Sequence, residues 1–137
     1  MLLFILGNFF QFAVCAAALW LGGREERTIG AALLVNTAIS KMALSNRWTQ
    51  PEYAVLTADL ALTAVLFVIS MRTGRWWILW CAAFELLTTV THVAIIVDPS
   101  VRGPTYRASM IIWSYMVLFA LAAGTWTAAR NRATRPS

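Results

Sequence analysis

Five apolar runs, parted by short polar gaps, take up nearly the whole chain. They fall at residues 2–22, 28–46, 52–71, 75–97 and 106–129. Each is close to the ~20 residues a helix needs to cross a hydrocarbon core about 30 Å thick. The pattern predicts an all-α membrane protein, a compact bundle of five transmembrane helices. The second run, T-I-G-A-A-L-L-V-N-T-A-I-S-K-M-A-L-S-N, is the least apolar and carries Asn36, Ser40 and Lys41. It reads as a full crossing shielded by its neighbours; a re-entrant segment, leaving four crossings, is the alternative. The longest gap, Asp98 to Tyr106, is too short to fold alone. One domain therefore spans 1–129, followed by a short basic tail at 130–137.

Charge sets the expected orientation. Arg24, Arg27, Arg72, Arg75, Arg130, Arg132 and Arg135 fall on one side of such a bundle, and Lys41, Arg47, Arg102 and Arg107 on the other. The positive-inside rule puts the richer side in the cytoplasm, so the N-terminus lies outside and the C-terminus inside, which needs an odd number of crossings. Glu25 and Glu26 share the first cytoplasmic turn and reduce the margin. Aromatic anchors agree: Trp20, Trp76, Trp77 and Trp126 at the inner interface, Trp48, Tyr53 and Tyr106 at the outer. Pro51 and Pro104 precede the third and fifth runs, where a missing N–H costs little.

Composition narrows the function. Hydrophobic residues make up 60% and charged residues 12% of the 137, against about 25% charged in a soluble domain. The net charge of +5 is spread over span ends, without the basic helix or aromatic platform that nucleic acid requires. Cys15 and Cys81 lie inside apolar runs and read as small hydrophobes. No Lys or Arg precedes the first run, and F-A-V before Cys15 makes a poor cleavage signal, so an uncleaved first helix is expected. Ala120, Gly124 and Ala128 form a small-residue strip where another helix, from this bundle or another subunit, can approach closely.

Ionisable groups inside the runs are the candidate chemistry. A charge near the bilayer centre costs about 2.5–3.5 kcal/mol on insertion scales and needs partners. Lys41, Asp59 and His92 each sit five or six residues from the outer end of their runs, roughly 7–10 Å deep at ~1.5 Å per residue. Asn8 and Gln11 reach similar depth. Glu85, Thr88, Thr89 and His92 follow the i, i+3, i+4, i+7 spacing and form one polar stripe that should face the bundle interior. The plainest reading is an internal network, with Lys41 paired to Asp59 and His92 bonded to a neighbour. Alternatively, Lys41 snorkels to the outer interface. A functional reading makes Asp59, Glu85 and His92 a proton or cation path, or makes His92 an axial ligand to a tetrapyrrole. No nucleophile elbow, phosphate loop, C-x-x-C or H-E-x-x-H motif is present, so no enzyme is read.

The stretches W-T-Q-P-E-Y-A-V-L-T-A-D-L-A-L, R-W-W-I-L-W-C-A-A-F-E-L-L-T-T-V-T-H-V-A and D-P-S-V-R-G-P-T-Y-R-A, then W-S-Y and A-G-T, resemble a group of small alphaproteobacterial membrane proteins of uncharacterised role. The resemblance covers roughly residues 48–125, with matches at Trp48, Asp59, Trp76, Trp77, His92, Asp98, Tyr106 and Tyr115. Glu85 departs from it, standing where Gln or His is expected. The resemblance supports the membrane class, marks Asp59 and His92 as worth testing, and implies no transferable activity. With the charge pattern, the expectation is a multi-pass protein of the bacterial inner membrane with a periplasmic N-terminus. The expected function is that of an accessory subunit in a larger assembly. Its partners would be membrane lipids, including bound lipid, and other subunits or further copies of itself. A proton- or ion-handling subunit and a pigment- or haem-binding one are the alternatives.

Overall fold

Glycines shape two corners of the molecule. Gly22 accepts no side chain, because a Cβ there would stand 2.1 Å from the Ala18 carbonyl oxygen and 2.5 Å from Glu26 Cβ. Gly74 adopts a left-handed φ of 63° and returns its N–H to Ser70 O at 3.0 Å, ending a helix as glycine does best. The computed structural model describes residues 2–43, 53–98, 100 and 103–134. Among these it is all-helical, with α1 at Leu2–Leu21, α2 at Arg24–Ala43, α3 at Tyr53–Thr73, α4 at Trp76–Val97 and α5 at Pro104–Ala133.

The helices form a ring in which each packs on its sequence neighbour and α5 closes against α1. Contacts fix their directions. Gln11 meets Thr37, Asn36 meets Asp59, Thr63 meets Thr89, and His92 meets Tyr106, so successive helices are antiparallel. Phe10 packs with tilted rings against Tyr115 and Phe119, and Arg132 reaches the Leu21 carbonyl, so α1 and α5 run parallel. Arg24, Arg27, Arg72, Arg75, Arg130 and Arg132 thereby gather at one end. Lys41 and Arg107 lie at the other.

Three helices, α3, α4 and α5, are long and apolar enough to cross a membrane, the mark of a membrane protein. The apolar part of α1, Leu6–Leu21, is shorter. α2 begins at Arg24, earlier than its apolar run predicts, because Glu26 caps it. The Glu26 carboxylate accepts the Gly23 N–H at 2.8 Å, three residues back, which is the acidic half of a capping box. α5 also exceeds its apolar run at both ends. Its 30 residues span about 45 Å at ~1.5 Å each, so the basic tail starts as helix.

The core holds Cys15 and Ala18 of α1, Ile29 of α2, Leu66 of α3, Ile78 and Cys81 of α4, and Leu121 of α5. Both cysteines are buried free thiols. Gly30 lets α2 come so close that a Cβ there would lie 3.1 Å from the Ala18 methyl. Trp77 corrects the anchor reading. It is 2% exposed, with its indole flat over Gly124, whereas Trp20, Trp76 and Trp126 are exposed. The small-residue strip is therefore used inside the chain: Ala120 and Gly124 are buried and Ala128 half-buried. Of the outer anchors, Tyr53 is exposed and Trp48 lies outside the described residues.

Candidate functional site

Asp59 on α3 is the hub of a buried polar chain that touches four helices. Its Oδ1 accepts a hydrogen bond from Asn36 Nδ2 of α2 at 2.9 Å. Its Oδ2 lies 3.0 Å from His92 Nε2 of α4, an ion-pair distance without the alignment of a straight hydrogen bond. The other ring nitrogen, Nδ1, is 2.8 Å from the Tyr106 hydroxyl of α5. Asp59, His92 and Tyr106 are at most 7% exposed. Two of the three contacts are hydrogen bonds, while Asn36 Oδ1, Asp59 Oδ2 and His92 Nε2 are buried with no hydrogen-bond partner among the described residues.

These heavy-atom positions serve two protonation patterns. A neutral imidazole with hydrogen on Nε2 faces the carboxylate and accepts from the tyrosine hydroxyl. An imidazolium pairs with the carboxylate and donates to the tyrosine oxygen. Both His92 nitrogens are engaged, so an axial bond to a tetrapyrrole would have to displace Asp59 or Tyr106. A colourless purified protein would remove that reading.

The predicted stripe on α4 does face inward. Glu85, Thr88, Thr89 and His92 are each 5% exposed. The threonines return their hydroxyls to their own helix, Thr88 to Phe84 O at 3.2 Å and Thr89 to Glu85 O at 3.1 Å, as threonine does in apolar surroundings. Thr89 also meets Thr63 of α3 at 3.2 Å. The Glu85 carboxyl has no hydrogen-bond partner among the described residues.

Lys41 does not join this chain, which corrects the expected Lys41–Asp59 pair. Its ammonium lies 5.3 Å from the Phe12 ring centroid of α1, on the exposed side of α2. The reason is rotation. Five residues carry Lys41 about 140° round the helix from Asn36, the residue that faces Asp59. Tyr106 is corrected too, since it turns in to His92 and is not an outer anchor. A register argument would have found it: His92 and Tyr106 lie equally far on either side of Pro99, as do Cys81 and Val117, whose Sγ and carbonyl meet at 3.6 Å.

A third buried acid, beyond Asp59 and Glu85, escaped the sequence reading as a site. Glu26 is 0% exposed at the turn between α1 and α2, and its Oε1 accepts from Arg75 Nη1 at 2.8 Å. Glu25 stands 3.5 Å from the same guanidinium. Arg75 follows α3, so this clamp ties the first turn to the third at the arginine end. Only the adjacency of two acids to a glycine pair hinted at it. No family model, curated protein or solved structure matches this chain.

Proposed function

We propose that this is a multi-pass protein of a bacterial inner membrane, crossing five times with its N-terminus in the periplasm. We further propose that it serves as a small accessory subunit of a larger assembly, acting through helix–helix contacts. One observation carries this reading: the outward faces present Phe9, Phe67, Trp80, Phe119 and many aliphatic neighbours. Hydrocarbon and a partner's helices satisfy such a surface about equally well, so packing detail decides what covers it. The alternating helix directions and the shared arginine end support the orientation. Gentle solubilisation of native membranes followed by native electrophoresis tests the subunit role. A band well above the 15.2 kDa chain is expected, and a lone monomer would refute it. For topology, single cysteines at Arg27 and Asp98 in a Cys15→Ala, Cys81→Ala background should label from opposite compartments.

The Asn36–Asp59–His92–Tyr106 chain favours a second reading, a proton- or ion-handling subunit. Its sign is a pH-dependent flux in proteoliposomes that Asp59→Asn or His92→Ala abolishes while assembly persists. Equal flux in wild type and both variants would exclude it.

A further inference from the structure

Two openings lie along α5, one against the α1–α2 turn and the start of α2, the other against α1, and together they mark a seam beside that helix. At the arginine end, Gly22, Gly23, Arg24, Arg27, Thr28 and Arg132 line an open pocket of about 560 Å³. Farther along, Leu6, Phe9, Phe10, Ala13, Tyr115 and Phe119 line an apolar groove of about 380 Å³. We propose that this seam binds one anionic phospholipid. Its phosphate would lie among Arg24, Arg27 and Arg132, with an acyl chain laid along the seam toward the aromatic groove. The proposal rests on the bundle's lying in a bilayer and is independent of its protein partners.

Charge complementarity is the first argument. The pocket lining contains three guanidinium groups and no carboxylate. Glu25 and Glu26 border the pocket, with Glu26 accepting the Gly23 N–H at 2.8 Å, but both face Arg75, at 3.5 and 2.8 Å, so the four arginines leave the site net positive. Arg24 and Arg27 are exposed and form no ion pair among the described residues. Arg132 spends one N–H on the Leu21 carbonyl, which holds its side chain across the seam. Basic pockets between helices on the cytoplasmic side are where lipid phosphates bind, each cation near the surface adding to the attraction.

Geometry argues for a lipid over a free phosphate. The pocket opens where α1 ends and α2 begins, so by the orientation proposed above it lies at headgroup level. The near edge of the groove, Ala13, is nine residues from Gly22, about 14 Å along the helix. That is close to half of a hydrocarbon core about 30 Å thick, the depth one leaflet's chains reach. An acyl chain of one leaflet therefore reaches the near edge of the groove at Ala13, while Leu6 at its far end is sixteen residues from Gly22, about 24 Å.

The test uses the full chain, delipidated in dodecyl maltoside, and its thermal midpoint on adding dioleoyl phosphatidylglycerol, dioleoyl phosphatidylcholine or inorganic phosphate. Phosphatidylglycerol should raise the midpoint most. Arg24→Gln with Arg27→Gln should weaken its apparent affinity at least tenfold. Arg72→Gln with Arg130→Gln, which removes the same charge from the same end outside the pocket, should change it less than threefold. Equal responses to the two lipids, or equal losses in the two double variants, would overturn the proposal. A response to phosphate alone as large as that to phosphatidylglycerol would make the pocket a soluble-anion site and overturn the lipid assignment. On the unaltered protein, native mass spectrometry should retain one phosphatidylglycerol per chain at collision energies that strip phosphatidylcholine. Loss of both lipids at the same energy would also overturn it.

Discussion

Substituting Gly124 by alanine places a methyl group where the Trp77 indole lies. The new Cβ would stand 2.4 Å from Cδ2 and 2.5 Å from Cε2, against the 3.5–4.0 Å of an ordinary carbon contact. The ring or the helix must therefore give by roughly 1 Å, and Trp77, 2% exposed, has little room to withdraw. Overpacking of this kind costs about 1–3 kcal/mol. Alanine recovers about 0.8–1 kcal/mol of helix propensity over glycine, so the net loss should be roughly 0–2 kcal/mol. Because the two effects oppose, the single variant decides little. The coupling with Trp77→Val is decisive, since valine stops at its γ carbons, short of each atom in the way. In that background the methyl should be accepted and Gly124→Ala should turn neutral or stabilising. Equilibrium unfolding in mixed dodecyl maltoside and dodecyl sulfate micelles, followed by far-ultraviolet circular dichroism, measures all four proteins. We expect a coupling of about 1–3 kcal/mol. Additivity within about 0.5 kcal/mol would refute the packing of this strip inside the chain and turn it toward lipid or another copy.

Three further outcomes follow from the polar contacts. Asp59→Ala removes the partner of both Asn36 and His92 and should cost about 1–3 kcal/mol in the same assay, with Asp59→Asn recovering part of it. Lys41→Ala loses only an exposed cation–ring contact, about 0.5–1 kcal/mol, and a double-mutant cycle with Asp59→Asn should show no coupling. Arg75→Ala strands the buried Glu26 carboxylate. After discounting for the 43% exposure of the arginine, it should cost about 1–2 kcal/mol, while Arg72→Ala costs less than about 0.5 kcal/mol.

The number and placement of the helices were legible because lipid demands long apolar runs, and each run became a helix. Their ends were less so. An apolar run tracks the thickness of hydrocarbon, whereas α2 starts at a charged capping turn and α5 continues into its basic tail. The inward stripe from Glu85 to His92 could be read from spacing alone. Which residues meet it could not, because partner choice depends on how far each neighbouring helix is rotated. Asn36 and Lys41 are five residues apart on one helix, yet only the first turns to Asp59. Trp76 and Trp77 are adjacent and equally aromatic, and about 100° of helix sends one outward and the other over Gly124. Their chemistry is identical, so composition carries no sign of the difference.

Ring closure has a consequence for biogenesis. Four hydrogen bonds between helices, Gln11 to Thr37, Asn36 to Asp59, Thr63 to Thr89 and Tyr106 to His92, join helices made one after the other. A nascent polar side chain therefore waits for its mate only while a single further helix is made. α1 and α5 meet last, after roughly a hundred residues or some 5–20 s of translation. That final contact includes aromatic rings, Phe10 against Tyr115 and Phe119. Until it forms, the open flank of the first helix can be covered by fatty acyl tails at little expense.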